Sequence, residues 1–139
     1  MIKIRNHRKV MVFGTFAILH PGHFYFFKQA KKYGDYLIVV IARDATVKKI
    51  KGFLPKLNEK ERLQMVNALN LVDKAVLGDK VDWYKVILKY KPDVICLGYD
   101  QKTPKDFRER LKKMKISIKI YRLRSYKTKK YKSSKILNS

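Results

Sequence analysis

Cysteine is nearly missing from this sequence. Cys96 is the only one in 139 residues. A single thiol forms neither an intrachain disulfide nor a multi-cysteine zinc centre, so a reducing, cytoplasmic setting is expected. Long apolar runs are missing too: none approaches the roughly 20 residues a membrane-spanning helix needs. The N-terminal stretch MIKIRNHRKVMVFG has basic residues but no long apolar run and no small-residue cleavage site, and no signal peptide is expected. Acidic residues are scarce, 11 Asp and Glu against 34 Lys and Arg, for a net charge of +23. That excess implies an anionic partner without naming it: nucleotide phosphate, nucleic acid, acidic protein or membrane surface. A merely solubilising lysine-rich surface accounts for it equally well. From Arg110 to Ser139 every charged residue is basic.

A hydrophobic fraction of 46% is that of a globular chain rather than a disordered one. The length leaves no room for two buried cores. One domain is therefore expected over 1–139, with 1–8 as a short N-terminal extension and 127–139 as a mobile basic C-terminal segment.

What is present is a regular alternation. Lys9–Phe13 (KVMVF) reads as a short buried strand. Phe24, Phe27 and Ala30 then recur at helical spacing, with Pro21 in the first turn and Gly34 as a stop. Asp35–Ala42 (DYLIVVIA) suits a parallel strand covered on both faces. A basic loop, RDATVKKIKGFLPKL, is expected next. Asn58 and Glu61 stand at capping-box spacing and open a helix carrying Leu63, Met65, Val66 and Leu69. Lys74–Leu77 and Val94–Leu97 read as strands flanking a helical stripe at Trp83, Val86, Ile87 and Tyr90. Pro104–Met114 reads as a charged, exposed helix and Ile116–Tyr121 as an edge strand. Alternation of this kind specifies an α/β fold: a Rossmann-like, doubly wound, five-stranded parallel sheet with helices on both faces. Such sheets bind ligands at the carboxyl ends of their strands, where the strand order reverses. The loop after strand 1, Gly98-Tyr99-Asp100-Gln101 after strand 4, and the chain after strand 5 all reach that edge.

The first of these carries the chemistry. Gly14-Thr15-Phe16 leaves strand 1 and His20-Pro21-Gly22-His23 enters the next helix. A glycine there permits a sharp turn and a close ligand. A helix N-terminus presents free N–H groups and partial positive charge to a phosphate. Histidines three apart near the first turn share a face, from which imidazole N–H groups donate to phosphoryl oxygens, more strongly when protonated. Two isolated histidines would read as a cap and a packing residue; at a strand-to-helix turn behind Gly-Thr-Phe they read as a phosphate site.

Gly14–His23 resembles the G-T-F-D-x-x-H-x-G-H signature of the cytidylyltransferase-like nucleotidyltransferases. The similarity runs on through nearly the whole chain. The stretch ARDATVKK at 42–49, with Lys51-Gly52, resembles the segment after strand 2 in the archaeal FAD synthases of that superfamily. Leu97–Gln101 is similar to their segment after strand 4, and Arg122–Lys127 with Ser133-Ser134 to their C-terminal segment. The resemblance implies adenylyl transfer without a covalent intermediate. The phosphate of FMN attacks the α-phosphorus of ATP, with a divalent cation such as Mg²⁺, giving FAD and pyrophosphate. It assigns His20 and His23 to the ATP phosphates as the catalytic pair, and Gly14, Thr15, Phe16, Pro21 and Gly22 to the nucleotide wall. Asp100 goes to the ribose hydroxyls, Tyr126 to the adenine, and Ser133 and Ser134 to the triphosphate. Lys48 and Lys49 would meet the leaving pyrophosphate. Arg62 would reach the phosphates, or else form an exposed helix ion pair. Metal ligands stay unnamed, and a homodimer is implied.

One position departs from the signature: Ala17 stands where the family has Asp. Two other readings accommodate the same residues. One is a cytidylyltransferase acting on glycerol 3-phosphate or a sugar phosphate. The other is a catalytically silent, basic nucleotide- or RNA-binding protein. Against nucleic acid stands the absence of any RRM, KH or zinc-finger pattern among the basic residues.

Overall fold

The apolar runs pair as parallel strands in the computed structural model, which describes residues 7–124. β1 (Lys9–Gly14) is central; β2 (Tyr36–Ile41) lies on one side of it and β4 (Val94–Leu97) on the other. β3 (Lys74–Leu77) and β5 (Lys119–Arg122) form the edges, giving the order β3-β2-β1-β4-β5. The doubly wound parallel sheet read from the alternation is the observed one, and the order reverses between β1 and β4.

Alternate strand residues feed the apolar layers on the two faces of the one sheet. Val10, Val12, Leu37, Val39 and Ile41 pack with Phe27 of α1 (Pro21–Lys31) and Val66 of α3 (Glu59–Asn67) on one face. Met11, Phe13, Ile38 and Ile95 pack on the other with Ile87 of α4 (Lys85–Tyr90) and Leu111 of α5 (Phe107–Lys113). Burial on both faces is why β1 and β2 lack the polar alternation of a half-exposed strand. The capping box is formed as spaced. Asn58 accepts from the Glu61 N–H at 2.8 Å, and Glu61 accepts from the Asn58 N–H at 3.0 Å.

Three expectations need correcting. The basic loop after β2 is in part a helix, α2 (Asp44–Lys51), closed by Gly52 in the left-handed region at φ 83. Its first N–H is capped from far along the chain. Glu59 accepts from the Asp44 N–H at 2.9 Å, and Asp44 accepts in return from the Glu59 N–H at 3.1 Å. The two helices thus cap each other, a device local spacing does not reveal. The last helix is shorter than Pro104–Met114 and is not all exposed, since Phe107 and Leu111 are buried. The final strand starts at Lys119 rather than Ile116. Lys115 turns left-handed at φ 56, and Ile116 donates back to Leu111 at 3.2 Å, which spends those residues on closing α5.

Candidate active site

β1 and β2 pair over six positions, but β1 and β4 pair only at Val10–Val94 and Met11–Ile95. Beyond Met11 the two strands part, and a cavity of about 390 Å³ opens at their carboxyl ends. Its walls are the 13–16 turn, His20, Gly22, His23 and Phe26 on one side and Gly98 to Lys102 on the other, with Ile50, Lys51 and Arg124 at the rim. Gln101 spans the gap: its side-chain amide accepts from the Gly98 N–H at 3.0 Å and donates to the Phe13 carbonyl at 3.0 Å. Arg122 fixes the same loop from β5, donating to the carbonyls of Gly98 and Gln101, both at 2.8 Å. Behind the cavity the Phe13 ring stacks on Trp83 at 4.4 Å.

His20 is the N-cap of α1, and its Nδ1 accepts from the Gly22 N–H at 3.1 Å. Three residues on, His23 Nδ1 accepts from the His20 N–H at 3.3 Å. A nitrogen that accepts carries no proton, so both rings are neutral with the proton on Nε2. The rings lie 3.9 Å apart, tilted by 31°. Burial lowers the pKa of His20; burial, reinforced by the neighbouring His20, takes His23 down to about 3. Of the two ways an imidazole can donate, neutral or protonated, His23 takes the neutral one at physiological pH. The first turn of α1 carries no acid to compete with an anion.

Gly14 and Gly22 both line the cavity, and each also has a steric reason to be glycine. The place of a Cβ on Gly14 is taken by the Phe16 ring, 2.5 Å away. A Cβ on Gly22 would stand 2.8 Å from the His20 ring and disturb the cap. Phe16 itself is left-handed at φ 54, an uncommon state for an aromatic residue. Its ring is buried and meets the His23 ring edge-on at 5.3 Å.

Of the other expected residues, Thr15 and Asp100 line the cavity and Pro21 opens α1 beside it. Lys48 and Lys49 are exposed on α2 and do not line it; Lys51, which the sequence reading passed over, does. Burial, with the nearby Arg62 charge, lowers the pKa of Lys51. Arg62 is neither on the phosphate side nor exposed. It is 0% exposed and donates to the carbonyls of Thr15 (2.9 Å), Ala42 (2.8 Å) and Leu57 (3.2 Å) and to Asp44 (2.7 Å). It is a buried clamp on the backbone behind the site. Tyr126, Ser133, Ser134 and the basic segment 127–139 lie outside the described residues, as does most of the 1–8 extension. Gln101, Lys102 and Arg124 complete the rim without having been singled out; only their position after β4 and β5 signalled them.

The low pKa of His23 makes a prediction about acid stability. A histidine that titrates near 6.5 unfolded and about 3 folded binds its proton in the unfolded chain first. Stability from this site is complete well above pH 6.5 and drains away as pH falls toward 3, by up to about 5 kcal/mol. Urea melts from pH 7.5 to 4.5 should show a steeper loss for the native chain than for His23→Gln. Equal slopes would mean that His23 titrates normally.

A doubly wound sheet whose switch-point crevice joins a helix N-terminus, two imidazole donors and a basic rim is the frame of a protein that handles nucleotide phosphates. The pattern of the Cytidylyltransferase-like family matches residues 11–139. A FAD synthase of Aciduliprofundum boonei is 49% identical over 119 residues, 85% of this chain and 79% of that one. A FAD synthase of Ferroglobus placidus is 48% identical over 120 residues, 85% and 77% of the two chains. The crystal structure of a lipopolysaccharide core biosynthesis protein from Thermoplasma volcanium superposes with a TM-score of 0.82 at 41% identity, covering 87% of this chain and 99% of that one. A pantoate-beta-alanine ligase from Francisella tularensis shares the fold alone, with a TM-score of 0.58 at 19% identity over 87% of this chain and 60% of that one. The chain belongs to the cytidylyltransferase-like family, in the group that holds the archaeal FAD synthases.

Proposed function

We propose that the protein is an FMN adenylyltransferase: it joins ATP and FMN to give FAD and pyrophosphate. Identity near 45% to several archaeal FAD synthases over most of the chain carries the assignment, for example 45% over 116 residues with that of Archaeoglobus fulgidus. The crevice supports it chemically. An oxygen of the FMN phosphate attacks the α-phosphorus of ATP, and the bond from that phosphorus to the bridging oxygen of pyrophosphate breaks. Little covalent work falls to the protein, so alignment and charge stabilisation supply the rate. In our reading His20 and His23 donate from Nε2 to the phosphoryl oxygens as negative charge shifts onto them. The positive end of the α1 dipole lies beside the same anion. The 14–16 turn walls the nucleotide, and Asp100 accepts from the ribose hydroxyls. Lys51 takes the role first given to Lys48 and Lys49, beside the leaving pyrophosphate.

No three His, Cys, Asp or Glu side chains cluster to hold a metal among the described residues, and position 17 is Ala. These residues do not fit a protein-held metal. Magnesium is, in this proposal, a companion of the triphosphate. No helix among the described residues is long and apolar enough to cross a membrane. We further propose a cytoplasmic homodimer of single-domain subunits.

Offering ATP with FMN, CTP with FMN, and CTP with glycerol 3-phosphate or a sugar phosphate tests the assignment. FAD should form from ATP and FMN. Product only from CTP and a polyol or sugar phosphate would replace the adenylyl assignment with cytidylyl transfer, and no product from any pair would favour a silent nucleotide-binding protein.

A further inference from the structure

Three large apolar side chains stand in water where the chain leaves α2. Ile50 is 76% exposed, Phe53 49% and Leu54 55%. Single exposed apolar residues are ordinary, but several together mark a binding surface. Ile50 is also a wall of the crevice cavity, next to Lys51. Gly52 stops α2 in the left-handed region, with nothing near the place of its missing Cβ. Phe53 and Leu54 therefore stay at the same end of the helix as Ile50. Three residues of chain reach at most about 10 Å, which keeps Phe53 within one fused ring system of Ile50.

The rest of the cavity lining mixes polar or charged side chains, Lys51, Asp100, Gln101, Lys102 and Arg124, with the half-buried aromatics Phe26 and Tyr99. The anionic parts of both substrates are served there and at α1. An exposed apolar ledge outside that mixed lining suits a flat apolar body that stops short of the phosphate chemistry. The acceptor brings such a body, since FMN carries a fused tricyclic ring at the far end of a ribityl chain from its phosphate.

We infer that the ledge of Ile50, Phe53 and Leu54 is the subsite for the isoalloxazine ring of the acceptor. The ring lies on Ile50 and Phe53, and the ribityl phosphate passes Lys51 toward His20 and His23. The ledge has this role only if FMN is the acceptor, as proposed above. It is then a specificity determinant, separating FMN from acceptors that carry a phosphate without a ring.

Ile50→Ser, Phe53→Ser and the double variant test it, with KM measured separately for FMN and ATP. The side chains are exposed, so the variants should melt with the native chain. Removing one ring contact of this size should raise the KM for FMN about ten-fold, and more in the double variant. The KM for ATP and the kcat at saturating FMN should stay within two-fold. Riboflavin, which has the ring and no phosphate, should compete with FMN in the native enzyme and lose that competition in the double variant. An unchanged KM for FMN in a native chain that makes FAD would overturn the ledge and leave the adenylyl assignment standing. A rise in the KM for ATP instead would place adenine on the ledge and overturn it as well. Failure of the native chain to make FAD from ATP and FMN would remove both.

Discussion

His20→Ala and His23→Ala should each slow adenylyl transfer by about 10²–10³-fold, the usual loss when one donor to a developing charge is removed. The two variants should differ in stability, because the rings also serve the backbone. His20 caps α1 through Nδ1, so alanine there costs about 1 kcal/mol of helix stability besides the chemistry. His20→Asn separates the two effects. Asparagine is itself a good cap, so this variant should melt close to the native chain while turning over as slowly as His20→Ala. His23 is 8% exposed, and its Nδ1 takes the His20 N–H. Alanine there leaves a small void and an unanswered donor, at about 1–3 kcal/mol. Pyrophosphate release and thermal melts on all three variants decide the matter. Full turnover in His20→Asn or His23→Ala would take that ring out of the transfer.

Arg62→Met should be among the most destabilising single changes in the chain, by about 3–5 kcal/mol. The guanidinium is wholly buried and holds together pieces distant in sequence: the turn after β1 at Thr15, the end of β2 at Ala42, the loop before α3 at Leu57, and Asp44 at the start of α2. Methionine matches its stem but leaves three carbonyls and a carboxylate short of their donor. Asp44 keeps partial access to water and can be rehydrated; the carbonyls inside the fold cannot be at no cost. A drop in Tm of about 10 °C or more is expected. Arg62→Lys should fall between, since one ammonium cannot reach all four acceptors. A Tm for Arg62→Met within 2 °C of the native chain would show that the clamp is dispensable.

These two sites also show where the sequence was readable and where it was not. The strands could be read because their apolar runs are local, and the Asn58–Glu61 box because both halves of it lie within one turn. That His20 and His23 stand side by side was legible, since a strand, a glycine and a helix start flank them directly. Arg62 was misread because its burial is decided by carbonyls 47 and 20 residues away. α2 was passed over for the same reason: Arg43 offers its N-terminus no side-chain cap, and the cap comes from Glu59 across the loop. Lys48 and Lys49 were chosen over Lys51 because three near-adjacent lysines look alike until the helix turns each to its own side. The purpose of Gly14 was hidden until the Phe16 ring was seen folded back over it.

The Gln101 bridge bears on how such a crevice changes over generations. Where β1 and β4 part, they are joined by one side chain rather than by main chain. Position 101, with Arg122 holding its loop from β5, therefore bears on the spacing at the switch point. The pairing of Val10–Val94 and Met11–Ile95 below it keeps the sheet intact whatever stands at position 101. A substitution at position 101 thus acts on the crevice while the sheet beneath it stays paired.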